Sequence, residues 1–373
     1  MHLWSLKSLS DSLLHHYGRA RSAMPALLTR PLGFFFYITG RCNLDCNYCW
    51  QREDEQVADR KSGWVNSAAR ELPPAAWVAA VEKLPRPCFL GLSGGEATLA
   101  KSFPDIMAAA TRRGIPTTVN TNAAALRPRQ LEQMLAGSLR NLSISLDGFA
   151  EVHDSGRRIP GLFQRIVQTI ETYNRLRQGR SGVHLTIKSV LTDANVEQML
   201  AFRQYCATTL HAETLNISLA KTGNHAQFTL MHHEDARRVI QEKPASLYPY
   251  SNPEKVAMLL ERLLHDNRSS PCRVTLYPWM PHPDRIRYFL KQSGESVYQP
   301  CYLARAMVSV LPDGTVIPCL SLGLGNLGNY HYDIVELLRD NQPYRQFLEK
   351  MRQAERTLPA ACNVCCFSRV RRE

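Results

Sequence analysis

The chain of 373 residues is long enough for one large domain and a smaller one, and 44% hydrophobic with 21% charged residues places it among globular proteins. No apolar run approaches membrane-span length and no signal peptide is evident, so a spanning or exported chain is not expected. The 11 cysteines fall mostly at metal-ligand spacings, which excludes a disulfide scaffold and points to a reducing, cytoplasmic compartment, and the net charge of +12 suits an anionic substrate or partner as well as a solvated basic surface.

Residues 2–20 read as an amphipathic helix, with Leu3, Leu6, Leu9, Leu13 and Tyr17 on one side and Lys7, His15, His16, Arg19 and Arg21 on the other. Such a helix either lies against the outside of the fold or makes peripheral contact with an anionic membrane. From 33 to 220, short β-rich runs at 33–39, 88–92, 116–120, 141–146, 183–191 and 214–219 alternate with helical patterns at 73–84, 102–113, 128–136, 161–178 and 194–209. This βα alternation predicts a parallel sheet coated by helices, with chemistry at the carboxyl ends of the strands. Residues 51–70 are a polar excursion, read as a cover or as solvated surface, and 221–300 form a connecting or substrate-recognition region with helices at 253–267 and 283–292.

The motifs sit at the predicted strand ends. After the first strand come Cys42, Cys46 and Cys49, spaced C-x₃-C-x₂-C with Tyr48 before the last. Three thiolates leave one iron of a [4Fe–4S] cluster open to bind a small molecule, while a zinc loop with a distant fourth ligand is the alternative. The second strand ends in Gly94-Gly95-Glu96, where glycines allow close backbone approach and a carboxylate can hold an ammonium. The third runs into Asn120-Thr121-Asn122, and the fourth into Ser145-Leu146-Asp147-Gly148, followed by His153-Asp154 and Arg157-Arg158. Lys188, inside the fifth strand, would point into the barrel toward an anion or cap its rim.

In this order, these elements resemble the radical S-adenosylmethionine (SAM) superfamily. The resemblance implies a partial (β/α)6 barrel over 33–220 and a [4Fe–4S] cluster on Cys42, Cys46 and Cys49. It further implies SAM bound through Gly94, Gly95 and Glu96 at its amino group, with Tyr48 near the adenine. Asn122, Ser145, Asp147 and Arg158 would then serve the ribose hydroxyls and carboxylate. Two departures are Ala97 where the family has proline and Ala123 where it has glycine. The activity implied is one-electron cleavage of SAM to a 5′-deoxyadenosyl radical that abstracts hydrogen, with flavodoxin or ferredoxin as electron donor.

The segment 301–373 reads as a second, cysteine-rich module of β-hairpin and helix. A Pro312-Asp313-Gly314 turn lies between two apolar runs, with Cys301 before it, Cys319 after it, and Cys362-x₂-Cys365-Cys366 near the terminus. Cys301, Cys319, Cys362 and Cys365 suffice for one auxiliary [4Fe–4S] cluster, with Cys366 a substitute for Cys365 and a zinc ribbon the alternative. The module resembles the twitch form of the SPASM domain. Twitch-bearing relatives include an aminocyclitol dehydrogenase, so the first expectation is oxidation or epimerisation of a small, hydroxylated, sugar- or cyclitol-like substrate. Cys88 is the candidate hydrogen donor for an epimerase, while Cys206 and Cys272 read as core residues. The alternative is radical modification of a peptide or protein, counted against because only one predicted helix precedes the first strand. His153, Lys221, His225 and Tyr298 are unranked candidates for a base, and nucleic acid is not an expected partner.

Overall fold

The computed structural model describes residues 31–49, 71–220, 250–277, 280, 283–291, 298–299, 306–317, 327–342, 344–346, 348 and 369–370. The expectations for the helix at 2–20, the excursion at 51–70, Lys221, His225 and Cys301, Cys319, Cys362, Cys365 and Cys366 lie outside the described residues.

Six strands follow in the anticipated order: β1 (Gly33–Tyr37), β2 (Phe89–Ser93), β3 (Thr117–Thr121), β4 (Leu139–Ser145), β5 (His184–Leu191) and β6 (Thr214–Leu219). Between and after them come α1 (Pro74–Glu82), α2 (Phe103–Arg112), α3 (Pro128–Ala136), α4 (Ala150–Arg157), α5 (Leu162–Leu176), α6 (Met199–Thr208) and α7 (Pro253–His265). Proline in the first turn of α1, α2, α3 and α7 starts each helix at no cost, because the amide it removes would lack a helical partner. In α5, Leu162, Phe163, Ile166, Val167, Ile170 and Tyr173 recur at helical spacing and form its buried stripe.

All six strands pair in parallel in sequence order, as an α/β barrel sheet requires. Two additions were not anticipated. β7 (Arg273–Tyr277) pairs in parallel beyond β6, and β9 (Met307–Val310) pairs in parallel with β1 on the opposite edge. β9 turns through Pro312-Asp313-Gly314 into the antiparallel β10 (Val316–Ile317), so the hairpin of the C-terminal module continues the barrel sheet. The sheet order is β10-β9-β1-β2-β3-β4-β5-β6-β7, and β8 (Tyr298–Gln299) pairs separately with β11 (Arg369–Val370). Two further helices among the described residues are α8 (Pro283–Lys291) and α9 (Ile334–Asp340).

The two faces of the sheet differ chemically. Phe36 packs on Trp77 of α1, which fixes the face carrying Phe34, Leu90, Leu92, Val119, Leu142 and Ile187 as the one under the helices. Side chains alternate along each strand, so the inner face takes the intervening residues. Many of these are polar: Asn141 Nδ2 donates to Ser143 Oγ at 2.9 Å, Thr186 Oγ1 to Asn141 Oδ1 at 2.9 Å, and Asn216 Nδ2 to Thr275 Oγ1 at 2.8 Å. Lys188, half-buried, faces Ser145 in register and donates to Asn120 at 3.4 Å.

Candidate functional site

The cysteine loop continues the pairing of β1 with β2. Ile38 N donates to Ser93 O at 3.0 Å, Gly95 N to Thr39 O at 2.8 Å, and Glu96 N to Arg41 O at 2.7 Å. The two glycines allow this approach: a Cβ on Gly94, whose φ is +142°, would lie 2.3 Å from Thr39 O, and one on Gly95 would lie 2.2 Å from Arg41 O. Glu71 secures the other side of the loop, accepting from the Thr39 hydroxyl, from Gly40 N at 3.1 Å and from Arg41 Nη2 at 3.0 Å. The sequence carries no signal for this glutamate, which stands alone after a polar stretch.

Glu96 is 1% exposed and takes donors from three residues at the ends of β2 and β3. Its Oε1 accepts from Thr98 N at 3.2 Å, Thr98 Oγ1 at 2.6 Å and Thr121 Oγ1 at 2.7 Å, and its Oε2 accepts from Asn122 N at 2.6 Å. Burial raises its pKa against these donors. Oε1 is fully used, whereas Oε2 retains a lone pair for one further donor. Asn122 turns its amide to the loop, 2.8 Å from Asn43 Oδ1 and 3.7 Å from Cys42 Sγ.

The fourth strand end is built differently from expectation. Asp147 is 2% exposed, and its Oδ2 accepts from Arg157 Nε at 2.7 Å and from the Tyr48 hydroxyl, while Val190 N donates to Oδ1 at 2.8 Å. Burial alone would raise its pKa, but the Arg157 guanidinium holds it below the ordinary value. Asp147 N donates to His153 Nδ1 at 3.1 Å, and His153 is wholly buried, which rules it out as a base facing substrate. Arg157 is the buried arginine of the pair. Arg158 sits in the left-handed region at φ 59°, exposed, and pairs with Asp45 at 3.0 Å. Its expected contact with SAM therefore finds no support in its placement. Ser145 is half-buried on the inner face, next to Lys188 in register.

Burial raises the pKa of Cys42 and Cys46, pushing Cys46 up to about 11, and the neighbouring Cys49 thiolate adds to the rise at both. Three thiols on one loop fit the donor chemistry of an iron–sulfur cluster with one open iron, whereas a tetrahedral zinc would take a fourth ligand from elsewhere in the chain. Cys88 lies just before β2, at the amino end of the sheet, while Gly94–Glu96 lie at its carboxyl end. Five strand residues separate the two ends by about 16 Å. This corrects the expectation that Cys88 could return hydrogen at the site. Cys206 and Cys272 are buried as expected, and each sits within the other's electrostatic reach. Among the described residues no helix is long and apolar enough to cross a membrane.

Comparison with known proteins agrees with this geometry. Residues 36–203 match the radical SAM superfamily and residues 301–366 match the SPASM iron–sulfur cluster-binding domain. The sporulation killing factor maturation protein SkfB of Bacillus subtilis is 26% identical over 205 residues, 54% of this chain and 44% of its own. The AdoMet-dependent heme synthase of Methanosarcina barkeri is 27% identical over 180 residues, 47% of each chain. The chain thus spans about half the length of the curated relatives it matches. Among solved structures, SuiB of Streptococcus suis bound to its precursor peptide SuiA aligns with a TM-score of 0.62 at 15% identity, covering 94% of this chain and 73% of SuiB. With its cysteine loop and Gly-Gly-Glu turn at the carboxyl ends of a parallel barrel sheet, the chain carries a radical SAM domain over residues 36–203, followed by a SPASM domain over residues 301–366.

Proposed function

We propose that the protein is a radical SAM enzyme that modifies a peptide. The observation that carries the radical SAM part is the convergence of Cys42, the Gly94–Glu96 turn and Asn122 at adjoining strand ends. In this reading Cys42, Cys46 and Cys49 hold the catalytic cluster, and Glu96 Oε2, with its spare lone pair, takes the SAM ammonium. Asn122 and Ser145 face the remaining polar groups of SAM, and Tyr48 lies beside them. The cluster, when bound, supplies the electron that cleaves SAM to methionine and a 5′-deoxyadenosyl radical, which takes a hydrogen atom from substrate. The protein's part is to orient both molecules and exclude water, and the polar inner face beneath the strand ends suits a substrate rich in amide and hydroxyl groups. Cys301, Cys319, Cys362 and Cys365 would hold one auxiliary [4Fe–4S] cluster.

The peptide reading replaces the first expectation of a sugar or cyclitol. It is supported by the names of relatives, which include SkfB, PqqA peptide cyclases and a mycofactocin maturase. A tetrapyrrole is the second reading, favoured by the AdoMet-dependent heme synthases among the relatives.

The test uses anaerobically reconstituted protein with a chemical reductant. About eight irons per chain, falling to about four in the Cys42→Ala/Cys46→Ala/Cys49→Ala variant together with loss of 5′-deoxyadenosine formation, is the expected result. The substrate class is then read by supplying perdeuterated cell extract split into peptide, small-metabolite and tetrapyrrole fractions. Deuterium in 5′-deoxyadenosine from the peptide fraction alone is expected. Deuterium from either other fraction, and none from peptide, overturns the peptide reading.

A further inference from the structure

The cysteine loop rests on α4 through several independent contacts. Asn47 N donates to Gly156 O at 3.0 Å. Gly156 leaves room for the Tyr48 ring, since a Cβ there would lie 2.8 Å from Tyr48 Cε1. At the rim, Arg158 pairs with Asp45 at 3.0 Å. In the interior, the Tyr48 hydroxyl and Arg157 Nε both donate to Asp147 Oδ2, and Val190 N occupies Oδ1. Asp147 is itself fastened to the chain beyond β5 by Asn195 Nδ2, which donates to its carbonyl at 2.6 Å. One buried carboxylate thereby joins β4, β5, α4 and the loop. Charge-assisted hydrogen bonds of this kind are the strong ones; Oδ2 has both lone pairs committed to Tyr48 and Arg157, and the carboxylate, 2% exposed, is enclosed by the elements it joins.

We propose that Asp147 is a positioning residue for the cysteine loop, clamping Tyr48 and Arg157 so that the segment from Cys46 to Cys49 is preformed before iron arrives, and that it does not touch SAM. The proposal rests on the reading of this loop as the cluster site. Preformed ligands lose less conformational freedom when metal binds, so the clamp favours cluster retention. Tyr48 stands between the two cysteines, and the ring position set by its hydroxyl determines where both thiols lie.

The variants are Tyr48→Phe, which removes one hydroxyl and keeps the ring, Asp147→Asn, and the double variant. In metal-free protein the alkylation rate of Cys46 and Cys49 reports loop order without reference to any cluster. In reconstituted protein, iron loss to a chelator, the EPR signal of the reduced cluster and the affinity for SAM are measured. Each single variant is expected to raise alkylation and iron loss by about ten-fold, the order set by one lost charged hydrogen bond. The double variant should be no worse than Asp147→Asn, because both changes remove the same contact. SAM affinity of the iron-loaded Asp147→Asn fraction should stay within about two-fold, and its EPR response to SAM should be unchanged. If Asp147→Asn lowers SAM affinity while alkylation and iron loss stay at wild-type rates, the proposal is overturned and the carboxylate contacts SAM. Should Asp147→Asn fail to fold, Tyr48→Phe decides alone: unchanged alkylation sinks the clamp. Wild-type protein that binds no iron refutes the cluster reading, and the alkylation measurement still judges the clamp.

Discussion

His153 shows how one buried side chain makes the site sensitive to acid. Its Nδ1 accepts from Asp147 N, so its proton is on Nε2, which is buried without a hydrogen-bond partner among the described residues. Burial lowers its pKa from 6.5 to about 4, outweighing the nearby Asp147 carboxylate. Between those two values the unfolded chain binds a proton that the folded chain refuses, so stability is present above pH 6.5 and is lost as pH falls toward 4. The full difference corresponds to about 3 kcal/mol. The melting temperature of the wild type is therefore expected to fall steeply between these pH values, and that of His153→Gln to fall much less. Equal slopes for the two proteins would show that the acid sensitivity arises elsewhere. The same histidine marks the limit of reading residues from order alone. His153-Asp154 and Arg157-Arg158 stand out in the chain, but nothing in their order says that His153 and Arg157 go inward and Arg158 outward. Helix α4, which the sequence reading passed over, makes that choice by its phase.

At the scale of elements, β1 to β6 and the helices between them were legible because apolar runs of strand length alternate with amphipathic stretches. The Gly-Gly-Glu turn was legible for a physical reason too, since only glycine admits the backbone of the cysteine loop so closely. β7 was missed because Arg-Val-Thr-Leu-Tyr is short, lies after a turn and pairs only at an edge. What fastens it is equally silent in sequence. Arg203 of α6 is buried, has no ion-pair partner among the described residues, and donates to the carbonyls of Cys272 at 3.1 Å, Leu263 at 3.1 Å and Asp266 at 3.2 Å, and to Asn267 Oδ1 at 3.1 Å. The guanidinium thereby caps the last turn of α7 and holds the start of β7 against α6. Replacing it by Met keeps much of the apolar volume but strands several acceptors. Arg203→Met is expected to cost about 2–4 kcal/mol and to raise amide exchange selectively over 262–277. Unchanged exchange in that segment would show that water satisfies the carbonyls and that β7 is held by its strand pairing alone.

At the scale of the molecule, the C-terminal hairpin is continuous with the barrel. β9 runs along β1 from Gly33↔Met307 to Phe36↔Val310, so the strand that leads into the cysteine loop has a neighbour on each side. Further contacts cross the same seam: Leu72 N donates to Pro312 O at 2.7 Å, Leu32 N to Ala306 O at 2.9 Å, and Lys83 Nζ to His331 O at 2.6 Å. Val308, Val310, Val316 and Leu337 are fully buried there, each contributing about 1.5–3 kcal/mol over an exposed side chain. The composition and the Pro-Asp-Gly turn announced the hairpin, but a sequence does not say which strand a hairpin will join. That pairing depends on a long-range contact between residues about 270 positions apart. A chain ending at residue 300 would leave β1 as an open, apolar edge. It is expected to be mostly insoluble, and the soluble fraction should melt at least 10 °C lower and hold well under four irons, because the cysteine loop leaves β1 directly. Val308→Asp in the full chain tests the same seam with every cysteine in place. A buried, unpaired carboxylate at that position should split β9 from β1 and cost iron at both clusters together. If instead the truncated chain stays soluble, melts with the full chain and binds four irons, the barrel is self-sufficient. The hairpin would then dock on a strand that does not need it.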